Sequence, residues 1–186
     1  MALLKIARMG NPILKKVADP ITDPTDPEIA RLAEDMKEIL VDIGGNGIAA
    51  PQVHEPIRMF VYRVREDIIP EGSTMKSVPW TVVVNPVLTP LTEDTKLYWE
   101  RCLSLPGLHG QVPRFTHIRL EAVGLDGAPI ELDVRGFHAR LLQHEYDHLD
   151  GILYPMRMQD MSKLSFSSEL DDSVDYPPRN IEDFVG

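Results

Sequence analysis

Apolar residues at Ile29, Leu32, Ala33, Met36, Ile39 and Leu40 recur three and four positions apart, the period of one helix face. Asp26-Pro27-Glu28 precedes them as a cap, a proline at the first helical position and an acid. Gly44-Gly45 follows, so the pattern predicts a helix over 27–42. The period then changes. Met59 to Val64 and Thr81 to Leu88 are rich in β-branched and aromatic residues, as strands are. Lys96 to Leu103, His117 to Val123 and Ile130 to Val134 read as strands too, the last two joined by a turn at Gly124-Leu125-Asp126-Gly127. After Gly136, helical spacing returns through Phe137, Leu141, Leu142, His144, Glu145, His148 and Leu149, with Gly151 placed to end the helix. Helix, several strands, then helix predicts an α+β fold, not alternating βαβ units. Mixed or antiparallel sheets are expected to pack around the C-terminal helix.

The pattern fades after about Ser165. That segment carries six Asp and Glu against one Arg, and it contains Pro177-Pro178. Residues 166–186 are therefore expected to form an irregular acidic tail on a single domain spanning 1–165.

Composition narrows the function. The net charge is −10, and no cluster of Lys or Arg is present. That disfavours nucleic acid or an anionic membrane as the main ligand, because phosphate binding needs concentrated positive charge. No apolar run approaches the roughly 20 residues of a membrane helix. The N-terminus, MALLKIARMGNPILKKVADP, lacks a long apolar core and a small-residue cleavage site, so it reads as mature protein. The one cysteine fits a reducing, cytoplasmic setting. No feature points to an oligomeric state.

Chemistry concentrates in three segments. His144-Glu145-Tyr146-Asp147-His148 is H-E-x-x-H on a predicted helix, where residues four apart share a face and both imidazoles can reach one metal ion. Glu145 stands beside that ion's water as a general base that later protonates a leaving amine. A hydrolytic site needs a third ligand and an open position. No His follows His148, and Glu169 and Glu182 lie in the acidic tail, so an endopeptidase with a downstream third ligand is disfavoured. Upstream, Glu100-Arg101-Cys102-Leu103-Ser104 offers the thiolate of Cys102. Two neutral imidazoles and one thiolate leave a divalent site with net positive charge, which still acidifies water. In the third segment, Gly45-Asn46-Gly47-Ile48-Ala49-Ala50-Pro51-Gln52, the glycines permit close ligand approach and Gln52 supplies an amide donor. A dinucleotide site would want a glycine where Ala50 stands, after a strand and not a helix.

GNGIAAPQ, ERCLS and HEYDH, in this order, resemble the three motifs of the peptide deformylases, and the resemblance runs from about Leu3 to Tyr154. It implies an α+β hydrolase of protein biosynthesis that removes the formyl group from N-terminal formylmethionine and releases formate. It implies that Cys102, His144 and His148 hold the metal, ferrous iron natively and zinc, nickel or cobalt as isolated. Glu145 would be the general base and acid, with Gln52 and the Leu103 N–H stabilising the oxyanion. Gly45, Asn46, Gly47, Glu100, Phe137 and Leu141 would line the peptide pocket.

Two departures stand out. The family usually has glycine where this chain has Arg101. In a strand, Glu100 and Cys102 share a face and Arg101 points away, so activity is expected to survive with altered substrate preference. An inactive or altered-specificity peptide-binding relative is the alternative. The second departure is the acidic tail. Some deformylases dock on ribosomes through a basic C-terminal helix, and this segment is a poor match to RNA.

His54, His109, His117 and His138 have no ligand spacing and read as structural, with His109 bordering the groove. Glu100 and Arg114 suggest an ion pair that orders the cysteine segment, or a solvated pair. Asp147 and Asp150 could orient the ligands or face solvent.

Overall fold

The computed structural model describes residues 5–170 and 180–186. Helix α1, Pro27–Ile43, begins where the Asp26 side chain accepts a hydrogen bond from the Glu28 N–H, and it closes on Gly44 at φ 67°. Among the described residues there are eight strands: β1 (Gly47–Ala49), β2 (Met59–Val64), β3 (Val78–Pro90), β4 (Thr95–Arg101), β5 (Leu108–Phe115), β6 (His117–Val123), β7 (Pro129–Arg135) and β8 (Leu164–Phe166). Helix α2, Gly136–Leu149, follows β7.

The strands form two antiparallel sheets, one in the order β1-β2-β3-β6-β7 and one in the order β4-β5-β8. Strand β2 explains the layering. Its side chains alternate between two buried faces. Met59 and Val61 join Ala33, Met36 and Leu40 of α1, while Phe60 and Tyr62 join Ile118, Leu120, Leu142 and Leu149 on the α2 side. Burying each of Met36 and Leu40 stabilises the fold by roughly 1.5–3 kcal/mol.

Helix α2 also reaches the smaller sheet. The Gln143 amide accepts from the Phe115 N–H at 3.0 Å and donates to the Phe115 carbonyl at 2.9 Å, which clamps the helix to the end of β5. The predicted helices and five predicted strands are therefore present, with ends shifted by a few residues. Strand β4 stops at Arg101, because the chain turns where the Leu105 N–H donates to the Cys102 carbonyl.

The expected division at residue 165 does not coincide with a structural boundary. Strand β8 runs across it and pairs with Leu108–Gly110 of β5. Residues 180–186 pack back on the domain, with Asp183 and Phe184 buried. The intervening residues 171–179, including Pro177-Pro178, lie outside the described residues.

Candidate metal centre and active site

Helix α2 carries His144, Glu145 and His148 on neighbouring positions of one face, and the chain leaving β4 brings Cys102 against them. Cys102 Sγ lies 3.3 Å from His148 Nε2. One ligand atom from each of Cys102, His144 and His148 lies within 4.8 Å of the others. The donor set fits a divalent transition metal: one soft thiolate and two imidazoles, with room left for a fourth position. Burial pushes the Cys102 thiol up, but His148 and His144 outweigh it, and the thiol is held well below its ordinary value.

A buried polar chain orients the first histidine. His144 Nδ1 lies 2.8 Å from Glu100 Oε2. A carboxylate only accepts, so Nδ1 carries a proton and Nε2 is the ring nitrogen left to face a ligand. Arg114 holds Glu100 from the other side with two bonds, Nε to Oε1 at 2.8 Å and Nη2 to Oε2 at 3.0 Å. Its third bond, Nη1 to Asp147 Oδ2 at 2.6 Å, returns to α2, and Arg157 closes the chain on Asp147 Oδ1 at 2.8 Å. Burial pushes the Glu100 carboxyl up, but Arg114 outweighs it and keeps Glu100 ionised far into acid. Glu100 thus borders the cavity with both oxygens already occupied, and its visible contacts are to Arg114 and His144, not to open space. The reading of Glu100 and Arg114 as an ordering ion pair matches this geometry. Asp147 belongs to the same chain, whereas Asp150 pairs with Arg58 at 2.7 Å.

Glu145 is different. It is buried at 3% exposure, and its Oε2 has no hydrogen-bond partner among the described residues. Burial raises its carboxyl to about 7, against a smaller opposing pull from His144 and His148. Such a group exchanges a proton near neutrality. Gly47 makes its position possible: a Cβ there would sit 2.8 Å from Glu145 Cδ.

Gln52 follows β1 in a short 3-10 turn. Its Oε1 accepts from the Ala49 N–H at 2.9 Å, which fixes the amide plane. Its Nε2 then points at Cys102 Sγ, 3.4 Å away, and at Ser104 Oγ, 3.2 Å away.

These groups share one open cavity of about 460 Å³. The expected residues Gly45, Asn46, Gly47, Leu103, Phe137 and Leu141 all line it, while His148 sits buried behind Cys102. His109 borders it as expected and is itself buried, with Nδ1 3.0 Å from Ser167 Oγ. Arg101 is exposed between buried Glu100 and Cys102, as strand alternation requires, yet it also flanks the cavity. Sequence reasoning missed Ile68, Arg140 and Phe184, which line it too. Phe184 left one trace, an aromatic residue within an acidic stretch.

A family model described as polypeptide deformylase matches residues 3–164. Peptide deformylase 1 of Nitrosomonas europaea is 42% identical over 178 residues, covering 96% of this chain and 97% of its own length. Peptide deformylase 1 of Prochlorococcus marinus is 41% identical over 92% of this chain and 88% of its own. The Met-Ala-Ser-bound crystal structure of a class I type b peptide deformylase from Acinetobacter baumannii is similar with a TM-score of 0.76 and 33% identity, covering 84% of this chain and 99% of that one.

Proposed function

The chain belongs to the peptide deformylase family, and we propose that it hydrolyses the N-formyl group of N-terminal formylmethionine on new polypeptides, releasing formate. The observation that carries this reading is the convergence of Cys102, His144 and His148 beside an unpartnered, buried Glu145 in the wall of one cavity. Cys102, His144 and His148 would hold one divalent metal ion, ferrous by preference, which supplies a Lewis acid and lowers the pKa of water.

Glu145 takes a proton from the attacking water at Oε2, the oxygen left without a partner. Water adds to the formyl carbon, and negative charge grows on the formyl oxygen. The Gln52 Nε2 donor and the Leu103 N–H stabilise that charge; losing one such donor typically costs about 10²–10³ in rate. Glu145 then returns the proton to the departing amine, and the C–N bond breaks. Its carboxyl, raised to about 7, suits both transfers. Gly45, Asn46 and Gly47 give the peptide backbone close access, and Phe137 and Leu141 present apolar surface to the methionine side chain. The Glu100–Arg114 chain keeps His144 in the tautomer that ligation requires.

New polypeptides as substrate fit a cytoplasmic enzyme. The C-terminal segment carries six Asp and Glu against one Arg, a poor match to ribosomal RNA, so docking through it is not part of the proposal. No helix among the described residues is long and apolar enough to cross a membrane.

The test is formate release from formyl-Met-Ala-Ser by protein loaded anaerobically with iron. Turnover of this peptide, none on the acetylated one, and loss in Glu145→Ala at unchanged metal content are expected. No turnover in fully metallated protein would leave a peptide-binding relative as the better reading.

A further inference from the structure

The cavity has two ends. Cys102, Glu145 and Gln52 make a polar end. Phe137 and Leu141 make an apolar one, on the same helix as His144. Leu141 lies about one turn before His144 and Phe137 about two turns, roughly 5 and 10 Å along the axis. An unbranched side chain leaving the reacting amide reaches past the nearer of these levels.

What closes the apolar end comes from the far end of the chain. The Phe184 ring stacks on Phe137, with centroids 4.8 Å apart and planes 14° apart. It is 1% exposed and lines the cavity. Four contacts hold it there. The Met75 N–H donates to the Phe184 carbonyl at 3.2 Å, and the Ser73 hydroxyl donates to the same oxygen. The Gly186 N–H donates to Thr74 Oγ1 at 3.2 Å. Asp183, buried, pairs with Lys96 of β4. Helix α2 is shaped to admit the segment: Gly136 sits at φ 53°, and a Cβ there would come 3.0 Å from the Asp183 carbonyl carbon. This much anchoring exceeds what a fraying terminus needs.

We propose that Phe184 is a specificity-determining residue, the end wall of the pocket that receives the first side chain of the substrate, with Asp183 and the backbone contacts of 183–186 as its fastening. The inference rests on the deformylase reading. It gives the C-terminal segment a role in choosing the substrate: the wall sets how long a side chain fits, and the stacked pair gives methionine flat apolar surface with a polarisable contact for its sulfur.

The experiment compares iron-loaded wild type, Phe184→Ala and Phe184→Trp on formyl-Gly-Ala-Ser, formyl-Met-Ala-Ser and formyl-Phe-Ala-Ser. Formyl-Gly has no side chain to meet the wall, so it reports on the rest of the site. In Phe184→Ala, the kcat/KM ratio of formyl-Met to formyl-Gly should fall about ten-fold, mostly through KM, the size expected for lost contact in an apolar pocket. Formyl-Phe should gain relative to formyl-Met. Phe184→Trp shortens the pocket and keeps the aromatic contact, so it should lose formyl-Met and retain formyl-Gly. Equal losses on all three peptides, or none in either variant, would overturn the inference while leaving the deformylase reading intact. Wild type inactive on every formyl peptide would overturn that reading and this inference with it.

Discussion

Gly47 and Glu145 compete for one volume: a Cβ on residue 47 would lie 2.8 Å from Glu145 Cδ and 3.0 Å from its Cγ. The carboxylate can stand over the polar end of the cavity only because residue 47 has no side chain. Gly47 is in β1, hydrogen-bonded to β2, and cannot retreat without breaking that pairing. Gly47→Ala should therefore move Glu145 rather than the strand. A displacement of about 1 Å at a proton-transfer group costs on the order of 10²-fold in rate. Expected is a fall of that size in kcat with metal content unchanged. Wild-type kcat in Gly47→Ala would mean Glu145 is not held where the chemistry needs it.

The bond from Glu100 to His144 carries a second prediction. Glu100→Gln keeps the shape but removes the charge that Arg114 faces and weakens the acceptor that sets the His144 tautomer. Partners of this kind are worth roughly 10–100-fold in metal affinity. Competition with a chromophoric chelator should show a loss in that range. The melting temperature should fall as well, because Arg114 keeps only Asp147 to balance a buried charge. Undiminished affinity would show that His144 needs no orienting partner.

Much of this was legible beforehand. The helix over 27–42 could be read because its cap, stripe and terminal glycine agree, and H-E-x-x-H reports its own geometry once the helix is known. What stayed hidden lacked local signal. Strand β1 is three residues of Gly, Ile and Ala, and its pairing with β2 supplies its structure. Strand β5 contains Pro113, which argues against a strand; it is tolerated because β8 pairs only with Leu108–Gly110 and leaves that stretch one neighbour, β4. The Glu100–Arg114 pair could be suggested in advance, but not its bond to His144 Nδ1, forty-four positions away, which is a fact of register. Phe184 was illegible because its partner, Phe137, is remote in sequence and the acidity around it reads as disorder.

His138 gives stability a pH dependence. It packs against Tyr62, with Nε2 3.1 Å from the hydroxyl, and burial pushes its imidazole down to about 4. In the unfolded chain the group titrates near 6.5. As pH falls below that value the unfolded state takes up a proton that the folded state refuses until about 4. Its contribution is therefore fully present above about 6.5 and lost progressively down to about 4, a swing of about 3 kcal/mol. Denaturant titrations of wild type and His138→Gln across pH 4–7 should converge toward the acid end and separate toward neutrality. A difference between them that stays constant with pH would rule the mechanism out.

Arg101 raises the question of substrate preference beyond methionine. Its backbone pairs with His109 on β5, and both residues border the cavity while the catalytic groups lie on the other side of the strand. Strand alternation therefore turns the guanidinium away from the metal ligands, at the border of the cavity. His109 beneath it is depressed by burial and by Arg101, so it adds no competing charge near neutrality. An acidic residue a few positions after formyl-Met should be favoured and a basic one disfavoured. The contact faces solvent, so a single ion pair contributes about 1 kcal/mol or less, and the preference should be about two- to five-fold. Formyl-Met-Ala-Asp and formyl-Met-Ala-Lys, assayed at low salt, should differ in kcat/KM by that factor in wild type. The gap should narrow in Arg101→Gly and as ionic strength rises. Equal turnover of both peptides by both proteins would show that Arg101 is a surface residue with no part in selection.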